Sequence, residues 1–155
     1  MNLKSKMKIS AILIFLLGLM PTADLLSQPS RLVVIDTLVT NEYKDLFGND
    51  NTTKILILPG EGNPLEIIAA ELGKSDYTEI HICALTKPGS IIFDELNLIP
   101  ETIQEYSDDL ASWKTLLKPG TKIIIHSETL TDGPEGSILL EKIAELTGAG
   151  TSTSK

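Results

Sequence analysis

Cysteine is all but missing: Cys83 is the only one, so the chain can form no internal disulfide and no cysteine-ligated zinc site. No cysteine closely follows the N-terminal apolar run, which excludes a lipoprotein anchor. Arginine is reduced to Arg31, and 13 basic groups stand against 21 acidic ones, a net charge of −8. Binding nucleic acid needs clustered Lys and Arg to neutralise phosphates, so that partner class is excluded. The longest apolar run, Ile9–Met20, is shorter than the ~20 residues of a spanning helix. Internal repeats and linkers are absent beyond the N-terminal segment. What is present is a 155-residue chain, 42% hydrophobic and 22% charged. That is the composition of one globular domain, not of a disordered or collagen-like chain.

Lys4, Lys6 and Lys8 precede Ile9–Met20, and Pro21 opens a more polar stretch ending at Ser30. A positive start, a short apolar core and a small-residue exit predict a secretory signal peptide over residues 1–27, with Ala23 or Ser27 at the cut. The alternative is an uncleaved anchor stretching to Leu26 across Pro21 and Asp24. Cleavage removes three lysines and Asp24, leaving 10 basic and 20 acidic groups on residues 28–155, a net −10. The expected location is secreted, periplasmic or at the cell surface, with no membrane insertion after cleavage. Such a charge repels anionic lipid or polymer surfaces.

Four short, continuous apolar runs read as buried parallel strands: Arg31–Asp36, Lys54–Leu58, Glu79–Ala84 and Thr121–His126. Helical segments lie between them. Asn41–Phe47 is a short one. Asn63-Pro64 with Glu66 opens the next, which stops at Gly73. Ser107–Leu117 carries Leu110, Trp113, Leu116 and Leu117 on one stripe, and Glu135–Thr147 carries Ile138, Leu139, Ile143 and Leu146. The alternation predicts an α/β fold, a three-layer sandwich around a mostly parallel sheet with helices on both faces. Pro88-Gly89 is a turn, and Ser90–Phe93 a short extra strand. Ala149–Lys155 is small and polar, read as a loose tail unless Gly150–Ser154 supplies an edge strand.

In such sheets chemistry sits beyond the carboxyl ends of the strands. At those ends and between them, the chain resembles a bacterial family, the domain of unknown function numbered 4347. The resemblance rests on Leu32–Asp36, Ile80-His81-Ile82, Pro88-Gly89, Leu96-Asn97-Leu98, Tyr106, Leu110, Trp113, Pro119-Gly120 and Gly136 through Ala149. It implies a caspase-like topology and a place in large secreted or cell-surface adhesins. In that family the third strand runs on into Ser-His-Gly and the fourth into Gly-Cys, a base and a thiol nucleophile. Here Leu85 stands where the resemblance implies histidine, and Glu128 where it implies cysteine. Leucine moves no proton and a carboxylate is a poor nucleophile toward a peptide carbonyl. A non-catalytic domain with a recognition, adhesion or structural role is therefore expected.

The former mouth supplies the candidate partner-binding residues His81, Thr86, His126, Ser127 and Glu128. His126 and Glu128, two apart at a strand end, share a face by parity and suggest an alternative, a hydrolase with a rebuilt acid–base site. No third ligand accompanies them, because His81 lies on another strand and is read as pointing elsewhere; no metal or cofactor is expected. Ser127 faces away from His126 and lacks a base. Cys83 reads as a packed thiol, although parity places it beside His81. Pro59–Asn63 lacks the lysine of a phosphate loop, and Glu61 opposes phosphate. Asp94, Glu95, Glu101, Asp108 and Asp109 form a solvated acidic side without EF-hand spacing.

Overall fold

The computed structural model describes residues 28–48, 50–94 and 96–155. The leader expected over residues 1–27, and Glu95 of the acidic side, lie outside the described residues. The chain begins with β1 (Arg31–Ile35), a 3₁₀ turn (Thr37–Val39), α1 (Thr40–Tyr43), β2 (Thr53–Ile57), α2 (Pro64–Leu72) and β3 (Glu79–Cys83). A hairpin series follows: β4 (Leu85–Lys87), β5 (Ser90–Phe93) and β6 (Leu96–Leu98). A 3₁₀ turn (Ile103–Tyr106), α3 (Ser107–Lys114), β7 (Lys122–His126), α4 (Pro134–Thr147) and β8 (Gly150–Ser154) complete it. Five strands form one parallel sheet in the order β2-β1-β3-β7-β8, as the α/β expectation requires.

Helices do not share the two faces evenly, and strand order explains why. A right-handed crossover places its helix on a face set by the direction in which the chain steps across the sheet. Only the step from β1 to β2 runs one way; the steps to β3, β7 and β8 all run the other. Consequently α2, α3 and α4 pack together on one face, over Leu32, Val34, Ile80, Ile82, Ile123 and Ile125. The opposite face carries only the segment after β1, whose Val39, Tyr43 and Phe47 lie over Val33, Ile35 and Cys83. The third layer of the sandwich is thus a strap of about one helical turn.

The sequence signals that start helices hold locally. Asn63 accepts the Leu65 N–H at 3.0 Å and Pro64 occupies the first turn of α2. The strap begins earlier than Asn41, because the Asp36 carboxylate accepts the Leu38 N–H at 2.9 Å and caps the 3₁₀ turn. Trp113 is 1% exposed and donates from Nε1 to the Leu65 carbonyl at 3.1 Å, locking α3 to α2. Ile138 departs from the expected stripe of α4: it is 43% exposed, while Leu139 and Ile143 are buried.

Two readings are corrected. Lys54–Leu58 is no buried strand, since β2 is an edge and only Leu58, beyond its end, is buried. Ala149–Lys155 is no loose tail: Gly148, at φ +72°, ends α4, and β8 pairs with β7 from Lys122–Gly150 to His126–Ser154. The Gly-Thr-Ser-Thr-Ser strand is polar because an edge strand needs backbone partners more than burial.

Candidate functional site

Strands β1 and β3 are neighbours whose onward connections leave toward opposite edges, so the crevice of this sheet opens at their carboxyl ends. A cleft of about 180 Å³ lies there, bounded on one side by Val39, Glu42 and Tyr43 of the strap. Its other walls are Ala84, Leu85 and Thr86 after β3, and His126, Ser127, Glu128 and Thr129 at the end of β7. Leu85 and Glu128, the positions where a base and a nucleophile are missing, therefore border one cleft. Larger hollows of about 300 and 310 Å³, beside Lys74–Asp76 and Asn63–Pro64, lie away from both histidines.

Contrary to the sequence reading, His81 does not point elsewhere. The β3–β7 register pairs His81 with Ile124, so His126, two residues on, shares its face. His81 Nδ1 and His126 Nε2 are 2.8 Å apart, with the rings stacked at 5.1 Å. Phe47 meets both rings edge-on at 5.5 and 5.2 Å, and Tyr43 meets His126 at 5.9 Å. His126 makes no hydrogen bond to Glu128 among the described residues, so the acid–base pair expected from parity gives way to a histidine pair.

Glu79 orders this pair. Its carboxylate accepts from Arg31 Nε at 3.2 Å, and His81 Nε2 lies 3.4 Å from the same oxygen. A carboxylate only accepts, so His81 carries its proton on Nε2 and presents Nδ1 as an acceptor to His126 Nε2–H. The Arg31 hydrogen bond, seconded by His81, holds the Glu79 carboxyl below its ordinary range. Burial depresses the pKa of His81; Arg31 adds to the depression and Glu79 works against it. His126 is likewise depressed, first by burial and then by its neighbour His81.

The nucleophile candidates are sealed or engaged. Cys83 is fully buried, and burial pushes its thiol up to about 12, where the thiolate is scarce. The Ser127 hydroxyl oxygen accepts from the N–H groups of Thr129 and Leu130 at 3.1 and 2.8 Å and lies 2.6 Å from the Thr86 hydroxyl. It braces the turn after β7. Among the described residues, no group of three or more His, Cys, Asp or Glu side chains is placed to hold a metal ion. None of their helices is long and apolar enough to cross a membrane. Tyr106, Leu110 and Trp113 belong to the core of α2, α3 and α4 and to its edge, away from the cleft.

Glu79, Glu42, Tyr43 and Phe47 escaped the sequence reading. The i, i+2 spacing of Glu79 and His81 signals a shared strand face, and the i, i+4 spacing of Tyr43 and Phe47 a shared side of a helical turn. Neither says which strand face the turn covers.

The chain belongs to the family described as Domain of unknown function (DUF4347), whose pattern it matches over residues 32–155. Neither a curated protein nor a solved structure matches it.

Proposed function

We propose that this DUF4347 domain is an exported, non-catalytic unit of caspase-like descent that recognises a protein partner through the carboxyl-end cleft, in a recognition, adhesion or structural role outside the cytoplasm. One observation carries the reading. The cleft borders the two positions where the family pattern has a base and a thiol, and they hold an exposed hydrocarbon, Leu85, and a carboxylate, Glu128. The remaining hydroxyl, Ser127, already accepts two backbone N–H groups, and the remaining thiol, Cys83, is sealed. An exposed leucine in a concave wall favours contact with another surface.

Two measurements test this. Wild-type protein and a Leu85→Asp/Glu128→Lys variant serve as baits for the native envelope and culture medium. A partner held by the wild type and lost from the variant is expected; identical captures refute recognition through the cleft. N-terminal sequencing of the protein recovered from medium or envelope is expected to begin after Ala23 or Ser27, and an intact Met1 refutes cleavage.

A second reading, a hydrolase rebuilt around His126 and Glu128, is favoured by the Glu79–His81–His126 chain, which orients an imidazole at the cleft. A broad peptide and ester panel decides. Turnover by the wild type that Glu128→Ala abolishes establishes the hydrolase and overturns the first reading.

A further inference from the structure

The hydrogen-bond chain beneath the cleft fixes more than the two histidine rings; it fixes what the cleft presents. Arg31 donates to Glu79, His81 Nε2–H donates to Glu79, and His126 Nε2–H donates to His81 Nδ1. Each proton is committed, which leaves His126 Nδ1 as a bare lone pair. That atom has no hydrogen-bond partner among the described residues. No fully buried side-chain nitrogen or oxygen among them lacks a partner. His126 is 8% exposed and lines the cleft, so Nδ1 opens into it as an unanswered acceptor.

Around this acceptor the lining is of one sign. Glu42 and Glu128 stand on opposite walls, and no lysine or arginine is among the lining residues. Their field reaches inward: the Tyr43 phenol is raised above its ordinary pKa by burial and, after it, by Cys83, Glu42 and Glu128. Val39, Ala84 and the 43% exposed Leu85 add apolar wall. An anion meets a lone pair and two carboxylates and is rejected. A neutral donor answers the lone pair alone. A cationic N–H donor on a hydrocarbon stem answers all three features. The volume, about 180 Å³, is below the ~300–1,000 Å³ of small-molecule pockets and suits a single long side chain.

From this geometry we infer that the cleft receives a lysine or arginine side chain presented by a partner polypeptide. The inference rests on the recognition reading above and names the chemistry that the site selects.

The test is a ¹⁵N-correlation NMR titration of the intact purified protein with the amides of Nα-acetyl-lysine and Nα-acetyl-arginine. Nα-acetyl-norleucine and Nα-acetyl-glutamine amides are the neutral controls. The cationic probes are expected to shift the amide signals of Leu85, Thr86, Ser127 and Glu128. Glu42→Gln and Glu128→Gln, both at exposed positions, are each expected to weaken that binding roughly two- to fivefold. Norleucine amide binding as well as lysine amide, or binding indifferent to both Gln variants, overturns the cation assignment while leaving a recognition cleft. Cationic probes that leave the cleft amides unmoved overturn it too. Partner capture that depends on Leu85 and Glu128 can survive either outcome, so the two readings fail separately.

Discussion

Acidifying the protein should load the histidine pair before any other buried group. Both rings have depressed pKa values in the folded chain, His81 through burial with Arg31 against it, His126 through burial and His81. In the unfolded chain each returns to about 6.5, so the unfolded state binds more protons as pH falls below that value. Stability is therefore fully present above about pH 6.5 and declines toward acid until the folded-state values are passed. The first proton has a site on the open His126 Nδ1. A second must take His81 Nδ1, which opposes two N–H groups across 2.8 Å and breaks the pair. The groups facing the pair are Glu79, which favours charging, Arg31, which opposes it, and the neutral Cys83 and Tyr43. One histidine held neutral limits the slope to about 1.4 kcal/mol per pH unit, and two to about 2.7. Urea unfolding followed by the fluorescence of buried Trp113, at steps from pH 7.5 to 5, measures it. Asp50, Glu71 and Glu79, all held below their ordinary values, titrate at lower pH and leave this window clear. The expected slope lies between about 0.7 and 1.4 kcal/mol per unit near pH 6, flattened in a His81→Gln/His126→Gln variant. An equal acid loss in that variant refutes the reasoning.

Gly136→Ala adds a Cβ that runs into the Leu130 carbonyl, with its carbon at 2.7 Å and Thr131 Cα at 2.9 Å. Helix propensity favours alanine by about 1 kcal/mol, but overpacking against backbone outweighs it, for a net loss of about 1–3 kcal/mol; a raised melting temperature contradicts the fold. Because that carbonyl accepts from Gly89 N–H at 2.9 Å, the same variant should broaden the NMR signals of Glu128 and Thr129. Cys83 should resist a thiol reagent at pH 8 in the folded protein and react fully in urea; rapid labelling without denaturant means that the strap does not seal it. Trp113→Phe strands the indole bond to the Leu65 carbonyl and should cost about 1–2 kcal/mol by circular dichroism. Ser127→Ala removes the acceptor for Thr129 and Leu130 and should cost a similar amount, about 1–2 kcal/mol, and a null effect contradicts the bracing role.

Much of the fold is legible in the chain because its signals are local. Continuous apolar runs at Leu32–Ile35 and Ile123–Ile125 mark strands, Asn63-Pro64 marks a helix start, and Gly148 marks a stop where φ turns positive. Strand parity likewise puts Cys83 beside His81, and the resemblance in the series from Leu32 to Ala149 is carried by the family match. The polar β8 was ambiguous because hydrogen bonding to β7, not apolar burial, makes it a strand. Which face the strap covers, and whether two histidines 45 positions apart touch, depend on strand order and on the β3–β7 register. Local propensity specifies elements; the choice of neighbour for each strand is a long-range pairing that no window of sequence contains. A histidine's proton and partner follow from that pairing, so the chemistry of the cleft existed only once the sheet was assembled.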